Sequence, residues 1–251
     1  MDTTLAKGLS VLEWLVRQQQ PCRVTDVAQV FGVGRSNAYR TLQTLVVCGW
    51  AVQDEASSAY RPSLRLFELG SLVEEAADLK ALLRPHLAAL AQATAETIHL
   101  TVLEGAEILY LDKFDSPHPV NAYSRIGGRA PAYCVASGKA LLAALNLDAA
   151  GLKRQLGKLV AHTPATITQF SALAEEMTRT RSRGYAENRE EWRDGVSGLG
   201  APVFDASGAV VAAVGISLPT IRFGRAQAKA LATKLVACAR DASQTLGRPK
   251  G

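Results

Sequence analysis

The chain has 251 residues, 48% of them hydrophobic and 20% charged, with a formal net charge of +5. This globular mixture is enough for one large domain or two ordinary ones, and no apolar run approaches the roughly 18 residues that span a bilayer. Four scattered cysteines (Cys22, Cys48, Cys134, Cys238) without a CxxC pair speak against a disulfide or zinc framework and for structural thiols in a reducing cytoplasm.

The first segment, "MDTTLAKGLSVLEW", carries an acid at position 2 and an amphipathic pattern, unlike a signal peptide. Leu5, Leu9, Leu12 and Val16 fall at helical spacing and predict a first amphipathic helix. Thr25 and Asp26 open a second, with Val24, Val27, Ala28 and Phe31 as its buried stripe and Gly32 at its end. "GVG" is a tight turn with Val33 as a core plug. In the next helix, Ala38, Leu42, Leu45 and Val46 make the core face, and Arg35, Ser36, Asn37, Tyr39 and Arg40 make the other. "WAVQDEASSAYRPS" reads as a hairpin around the polar turn "DEASS".

Helix, helix, glycine turn, helix, hairpin is the order of a winged helix-turn-helix, whose second motif helix enters a DNA major groove. Residues 1–63 hold six Lys/Arg against five Asp/Glu, so the module as a whole is nearly neutral. Between 17 and 40, however, four arginines face only Asp26, the local imbalance a phosphate-facing surface needs. Arg35, Ser36, Asn37 and Tyr39 are the candidates for base edges. Arg23, Arg40 and Arg61 are those for phosphates, and Thr25 joins them at the start of the preceding helix.

From Pro62 to Arg84 an apolar helical pattern is bounded by prolines, so the sequence predicts a linker helix over 64–84 that packs against something, a second subunit included. After Pro85 come the helix "HLAALAQAT" and a hairpin of "ETIHLTVL" and "EILYLDKF" around 104–107. "VNAYSRIGG" follows as a further strand, then a helix from "ASGKALLAAL" with Ser137 near its N-cap. A helix ending at Gly184, a hairpin through 206–208 and a last helix over about 224–245 complete the order. This predicts an α+β domain on an antiparallel sheet over 85–251.

Taken together these segments resemble a transcriptional regulator of the IclR family. The likeness rests on "VTDVAQVFGVGRSNAYRTLQTLVVCGW", "SPHPVNAYSRIGGRAPAYCVASGKALLA", "RGYAENREEWRDGVSGLGAPV" and "GISLPT". The resemblance implies a GAF-like effector-binding domain, assembly as a homodimer or dimer of dimers, and control of genes for uptake or breakdown of small carbon compounds. It implies an effector site at Ala136, Ser137, Asn188, Gly198, Gly215 and Ser217. An acid is frequent in the family where Asn188 stands, and a cysteine where Gly198 stands. Double-stranded operator DNA and a small organic acid, aliphatic or aromatic, are the expected partners. The carboxylate would meet the N–H groups at Ala136–Ser137, since a helix N-terminus favours anions. Plain N-capping is the competing role for Ser137. Arg125 and Arg129 could attract the acid or serve a subunit contact, and Tyr110, Tyr133 and Ile126 could take an aromatic ring.

Other functions find little footing. "SGK" at 137–139 lacks a P-loop's glycine at Tyr133 and its Ser or Thr at Ala140. His86, His99, His118 and His162 form no HxxxH pair, and no GxSxG is present. His99, on an alternating strand, reads as a core or pocket-lining residue. No catalysis, cofactor or metal is expected. A DNA-binding protein without a ligand, its pocket closed, is the alternative regulator.

Overall fold

The computed structural model describes residues 3–18, 20–71, 74–120, 122 and 124–248. It divides into two compact units, Met1–Ala77 and Asp78–Gly251.

The first unit opens with α1 (Thr3–Arg17), α2 (Val24–Val30) and α3 (Arg35–Val47). The strands β1 (Ala51–Gln53) and β2 (Tyr60–Pro62) pair antiparallel, Val52 opposite Arg61. α4 (Arg65–Ser71) follows. Val11, Leu12, Leu15, Val27, Ala38, Leu42 and Tyr60 form the core. The stripe predicted for α1 is corrected here. The helix buries Val11, Leu12 and Leu15, while Leu5, Leu9 and Val16 are exposed. The core lies one residue round from the stripe, so the leucines form a second, outward apolar face.

Asp26 accepts the Arg23 backbone N–H at 2.7 Å, closing the start of α2. Gly32, at φ +60°, ends the turn that follows α2, and the Val33 N–H reaches back to the Ala28 carbonyl at 3.0 Å. That left-handed conformation is cheap only for glycine. A two-stranded hairpin is marginal by itself. This one is fastened because Tyr60 and Cys22 exchange backbone hydrogen bonds at 2.7 and 2.9 Å, and because the fully buried Tyr60 accepts from Gln43 of α3 at 2.9 Å.

Of the predicted helix over 64–84, the described residues are helical in α4 and from Glu74 onward, and α5 (Glu74–Thr94) runs on through Pro85, where a helix end was expected. Residues 72 and 73 of that prediction lie outside the described residues. Proline inside a helix costs about 3 kcal/mol. Leu83, Leu87 and Leu90 are buried on one face of α5, and at roughly 1.5–3 kcal/mol per buried leucine they outweigh it.

The second unit is a six-stranded antiparallel sheet. Its elements are β3 (Thr97–Glu104), β4 (Glu107–Phe114), β5 (Arg129–Pro131), α6 (Ala136–Ala144), α7 (Ala149–Leu156) and α8 (Phe170–Arg183). They continue with β6 (Ala186–Arg189), β7 (Val196–Phe204), β8 (Val210–Pro219), a short 3-10 turn (Thr220–Arg222) and α9 (Arg225–Thr245). The strand order is β5-β4-β3-β8-β7-β6. One face, with Ile98, Leu100, Leu199, Val214 and Ile216, packs against α5 and α9. The other takes α6, α7 and α8. The strand predicted for "VNAYSRIGG" does not form: of this segment, 121 and 123 lie outside the described residues and the others are turn or irregular. The strand on the β4 edge is the next three residues, β5, and just ahead of it Gly127 and Gly128 exchange backbone hydrogen bonds with Tyr110 of β4 at 2.9 and 3.1 Å. α7 and β6 were not foreseen.

Candidate functional site

On the first unit, Arg35, Ser36, Asn37, Tyr39 and Arg40 are all exposed on the opening turns of α3, and the first turn carries no acid. They stand outward because Ala38, Leu42 and Leu45 occupy the opposite side of the same helix. Arg23 and Thr25 are exposed at the start of α2, and Arg61 is exposed on β2. Gln43 donates to Gln53 as well as to Tyr60, at 3.0 and 2.9 Å, which locks α3 to the hairpin. Lys7 of α1 donates to Asn37 at 2.8 Å and adds a cation that sequence spacing, 30 residues away, could not reveal. Asp26 is held at the α2 N-terminus, where it accepts the Arg23 backbone N–H, and its charge sits beside this basic surface.

In the second unit the residues expected to bind an effector lie in adjoining strands and at one helix end. Asn188 of β6 is paired with Gly198 of β7, Gly198 with Ser217 of β8, and Ser217 with Thr97 of β3, in one rung across the sheet. Gly215, two residues from Ser217, shares its face. A Cβ on Gly215 would stand 3.4 Å from the Ser137 Cβ, so this face looks toward α6. A Cβ on Gly200 would collide with the Ala136–Ser137 backbone, so that glycine lets the start of α6 sit directly on the sheet.

Two roles change. The N-cap of α6 is Val135, with no side-chain cap bond, so Ser137 is the second helical residue and does not cap. Gly198 does not simply leave room for a ligand: a Cβ there would collide with the Ile216 carbonyl, so the residue is needed for strand approach. Substitution at Gly198 would disturb the sheet before it filled a pocket.

Asn188 is buried, and its Oδ1 accepts the Glu191 N–H at 2.9 Å. Glu191 in turn accepts from buried Lys139 of α6 at 2.6 Å, and Glu176 of α8 lies 3.9 Å from the same ammonium. Burial pushes the Glu191 carboxyl up, and Lys139 opposes that. The lysine that fails as a P-loop is therefore an internal tie that fixes α6 and the Asn188 turn together.

His99 neighbours Gly215 across the strands and belongs to the same wall. It is buried, its Nε2 is 2.6 Å from the Ser124 hydroxyl, and its ring centroid is 5.0 Å from that of Tyr110. Burial pushes its pKa down to about 3, Lys113 adds to this and Asp115 opposes it. A neutral imidazole fits the pocket-lining reading. Lys113 donates to the Ser124 carbonyl at 2.8 Å, holding the loop beside the wall. Thr97 was missed in the sequence because only strand register brings it to Ser217. Arg125 and Ile126 are exposed, and Arg129 is 3.8 Å from Glu107. Tyr133 is engaged elsewhere: its hydroxyl accepts from the Val160 N–H at 2.8 Å and donates to the Val160 carbonyl at 2.9 Å.

A winged helix-turn-helix with an exposed basic recognition helix, followed by an α+β unit, defines a DNA-binding transcription regulator. Residues 4–55 match the family model described as "IclR helix-turn-helix domain", and residues 72–244 that described as "Bacterial transcriptional regulator IclR C-terminal". The chain belongs to the IclR family. It is 34% identical over 245 residues to the HTH-type transcriptional regulator KdgR of Escherichia coli (strain K12), an alignment covering 98% of this chain and 93% of that one. The Thermotoga maritima IclR crystal structure is similar at a TM-score of 0.80 and 31% identity, over 98% of this chain and 100% of that one. An IclR homolog from Microbacterium hydrocarbonoxydans, complexed with 4-hydroxybenzoate, shares the fold at a TM-score of 0.83 and 24% identity, over 98% and 99% of the two chains.

Proposed function

We propose that the protein binds a specific double-stranded operator and that a small organic acid in its second unit changes that binding. The DNA-binding module is 1–63, 64–84 links it, and 85–251 binds the effector and a partner subunit. Arg35, Ser36, Asn37 and Tyr39 read base edges. Arg23, Thr25, Arg40 and Arg61 position the backbone, with Lys7 beside them. The effector carboxylate meets the N–H groups at Ala136–Ser137, and Asn188 and Ser217 donate to it. What carries the ligand half is the α6 N-terminus seated on Gly200, facing a rung that brings Asn188, Gly198 and Ser217 together on one side of the sheet. The related fold that holds 4-hydroxybenzoate supports a small acid of this kind.

The DNA half is tested with duplex recovered from genomic fragments by the full-length protein. Asn37→Ala should lower discrimination by about 1–3 kcal/mol at one or two base pairs. Arg61→Ala should weaken all sequences alike and reduce the salt slope by about one. Unchanged affinity of Asn37→Ala for both operator and random duplex would show that this face of α3 does not read DNA.

A further inference from the structure

A groove of about 540 Å³ lies in the second unit where α6, α8, β7 and α9 meet. It shares no lining residue with the proposed effector site. Its volume comes from small side chains on three facing elements: Ala140, Ala143 and Ala144 of α6, Ala201 of β7 and Ala239 of α9. That is within the 300–1,000 Å³ of ordinary small-molecule sites.

The charge in its walls is one-sided. Arg181, Arg240 and Arg248 line it, and among the described residues no acid does. Arg181 donates to the Ala143 carbonyl at 3.3 Å and the Thr178 hydroxyl at 3.0 Å, neutral partners that fix the guanidinium without cancelling it. Arg248 stacks 4.0 Å over the Phe204 ring. Arg240 meets the exposed Asp241 at 3.1 Å. Thr180 also stands in the wall, 3% exposed, and its hydroxyl is buried without a partner among the described residues. Helical threonines ordinarily bond back one turn, so this is a polar atom with unused bonding capacity beside an apolar floor and a cationic rim.

We propose that this groove is a second ligand site, for a small organic carboxylate with a compact apolar body. Guanidinium forks suit a carboxylate because they present paired N–H donors in its plane. The alanine floor takes the apolar body. α6 forms the floor of this groove at its C-terminal half and bears the proposed effector contacts at its N-terminus, so the two occupants are joined by one rigid helix.

Calorimetry on the full-length chain with 2-naphthoate tests this. The expected result is saturable binding, weakened at least tenfold both in the triple variant Arg181→Ala/Arg240→Ala/Arg248→Ala and in Ala144→Phe. Neutral 2-naphthamide should not compete, and Ser217→Leu, which alters only the proposed effector site, should keep the binding. The triple variant removes exposed side chains, so a melting curve like the parent's keeps the test valid even where Ala144→Phe fails to fold. No binding of 2-naphthoate, equal binding in parent and triple variant, or binding lost in Ser217→Leu alone overturns the proposal. So does a groove variant that alters the sedimentation coefficient while 2-naphthoate does not bind, which makes the groove a subunit contact.

Discussion

His99 shows how one residue's environment decides its chemistry. An imidazole near pH 7 is poised to titrate when free, with an ordinary pKa of about 6.5. Here burial, with Lys113 close by, lowers that to about 3. A depressed folded pKa means that the stability tied to the neutral ring is fully present above about pH 6.5. It is lost as pH falls from there toward 3. Between pH 6.5 and 5 the loss is about 2 kcal/mol. The imidazole carbon shifts of His99 in an NMR titration should stay flat from pH 8 to 5, and His99→Gln should flatten the dependence of unfolding free energy on pH over that range. A midpoint near 6.5 would place His99 in contact with solvent and remove it from the buried wall. Alternation in the sequence put this residue on a strand as a core or pocket-lining side chain, and it is buried on β3. Thr97, Lys7 and Glu191 were not legible in the sequence, because each acquires its role from a partner on a distant element.

At the scale of elements, the long periodic helices and both hairpins of the second unit could be read from pattern and turn residues alone. Three features could not. Pro85 marked a helix end locally, but leucines on both sides of it pack on the same sheet and hold α5 continuous. The first helix has apolar residues on two adjoining faces, and periodicity alone does not say which one is the core. The four residues of β6 and the three of β5 are strands only because β7 and β4 offer them edges. The glycines of the site carried their positions in the sequence but not their reasons. Gly200→Ala should push α6 off the sheet and destabilise the protein by about 1–3 kcal/mol, as overpacking of a tight contact does. A Cβ at Gly215 meets the Ser137 side chain at 3.4 Å and the Leu199 carbonyl at 3.7 Å, ordinary van der Waals contacts, so Gly215→Ala should leave the melting temperature within a degree or two of the parent's. Equal melting temperatures for parent and Gly200→Ala would mean that α6 is not seated as described.

At the scale of the whole molecule, the question is how the chain meets DNA and a ligand at once. One winged helix reaches only one half-site, and two-fold pairing on a pseudo-palindrome requires a second copy. Leu5, Leu9 and Val16 on α1, Leu64 just before α4 and Phe67 on it are exposed apolar side chains on the first unit, and we propose that they meet a partner subunit. Light scattering at micromolar concentration should give at least a dimer, and Leu64→Glu/Phe67→Glu should lower the mass or weaken association. A monomer with and without operator would remove this idea. A ligand alters DNA affinity only by binding two arrangements of the protein unequally, and coupling of this kind is typically 5–150-fold. The measurement closest to the central claim is the anisotropy of a labelled operator duplex, titrated with full-length protein against a panel of sugar acids, aromatic acids and short keto acids. At least one acid should shift the operator Kd by a factor of about five or more. Ser217→Leu, which places bulk over Gly198 in the second unit and leaves the DNA-binding residues of the first unchanged, should bind operator as the parent does and ignore that acid. An operator Kd that no acid in the panel moves, or a full response in Ser217→Leu, would contradict a ligand-controlled regulator with its effector at the α6 N-terminus.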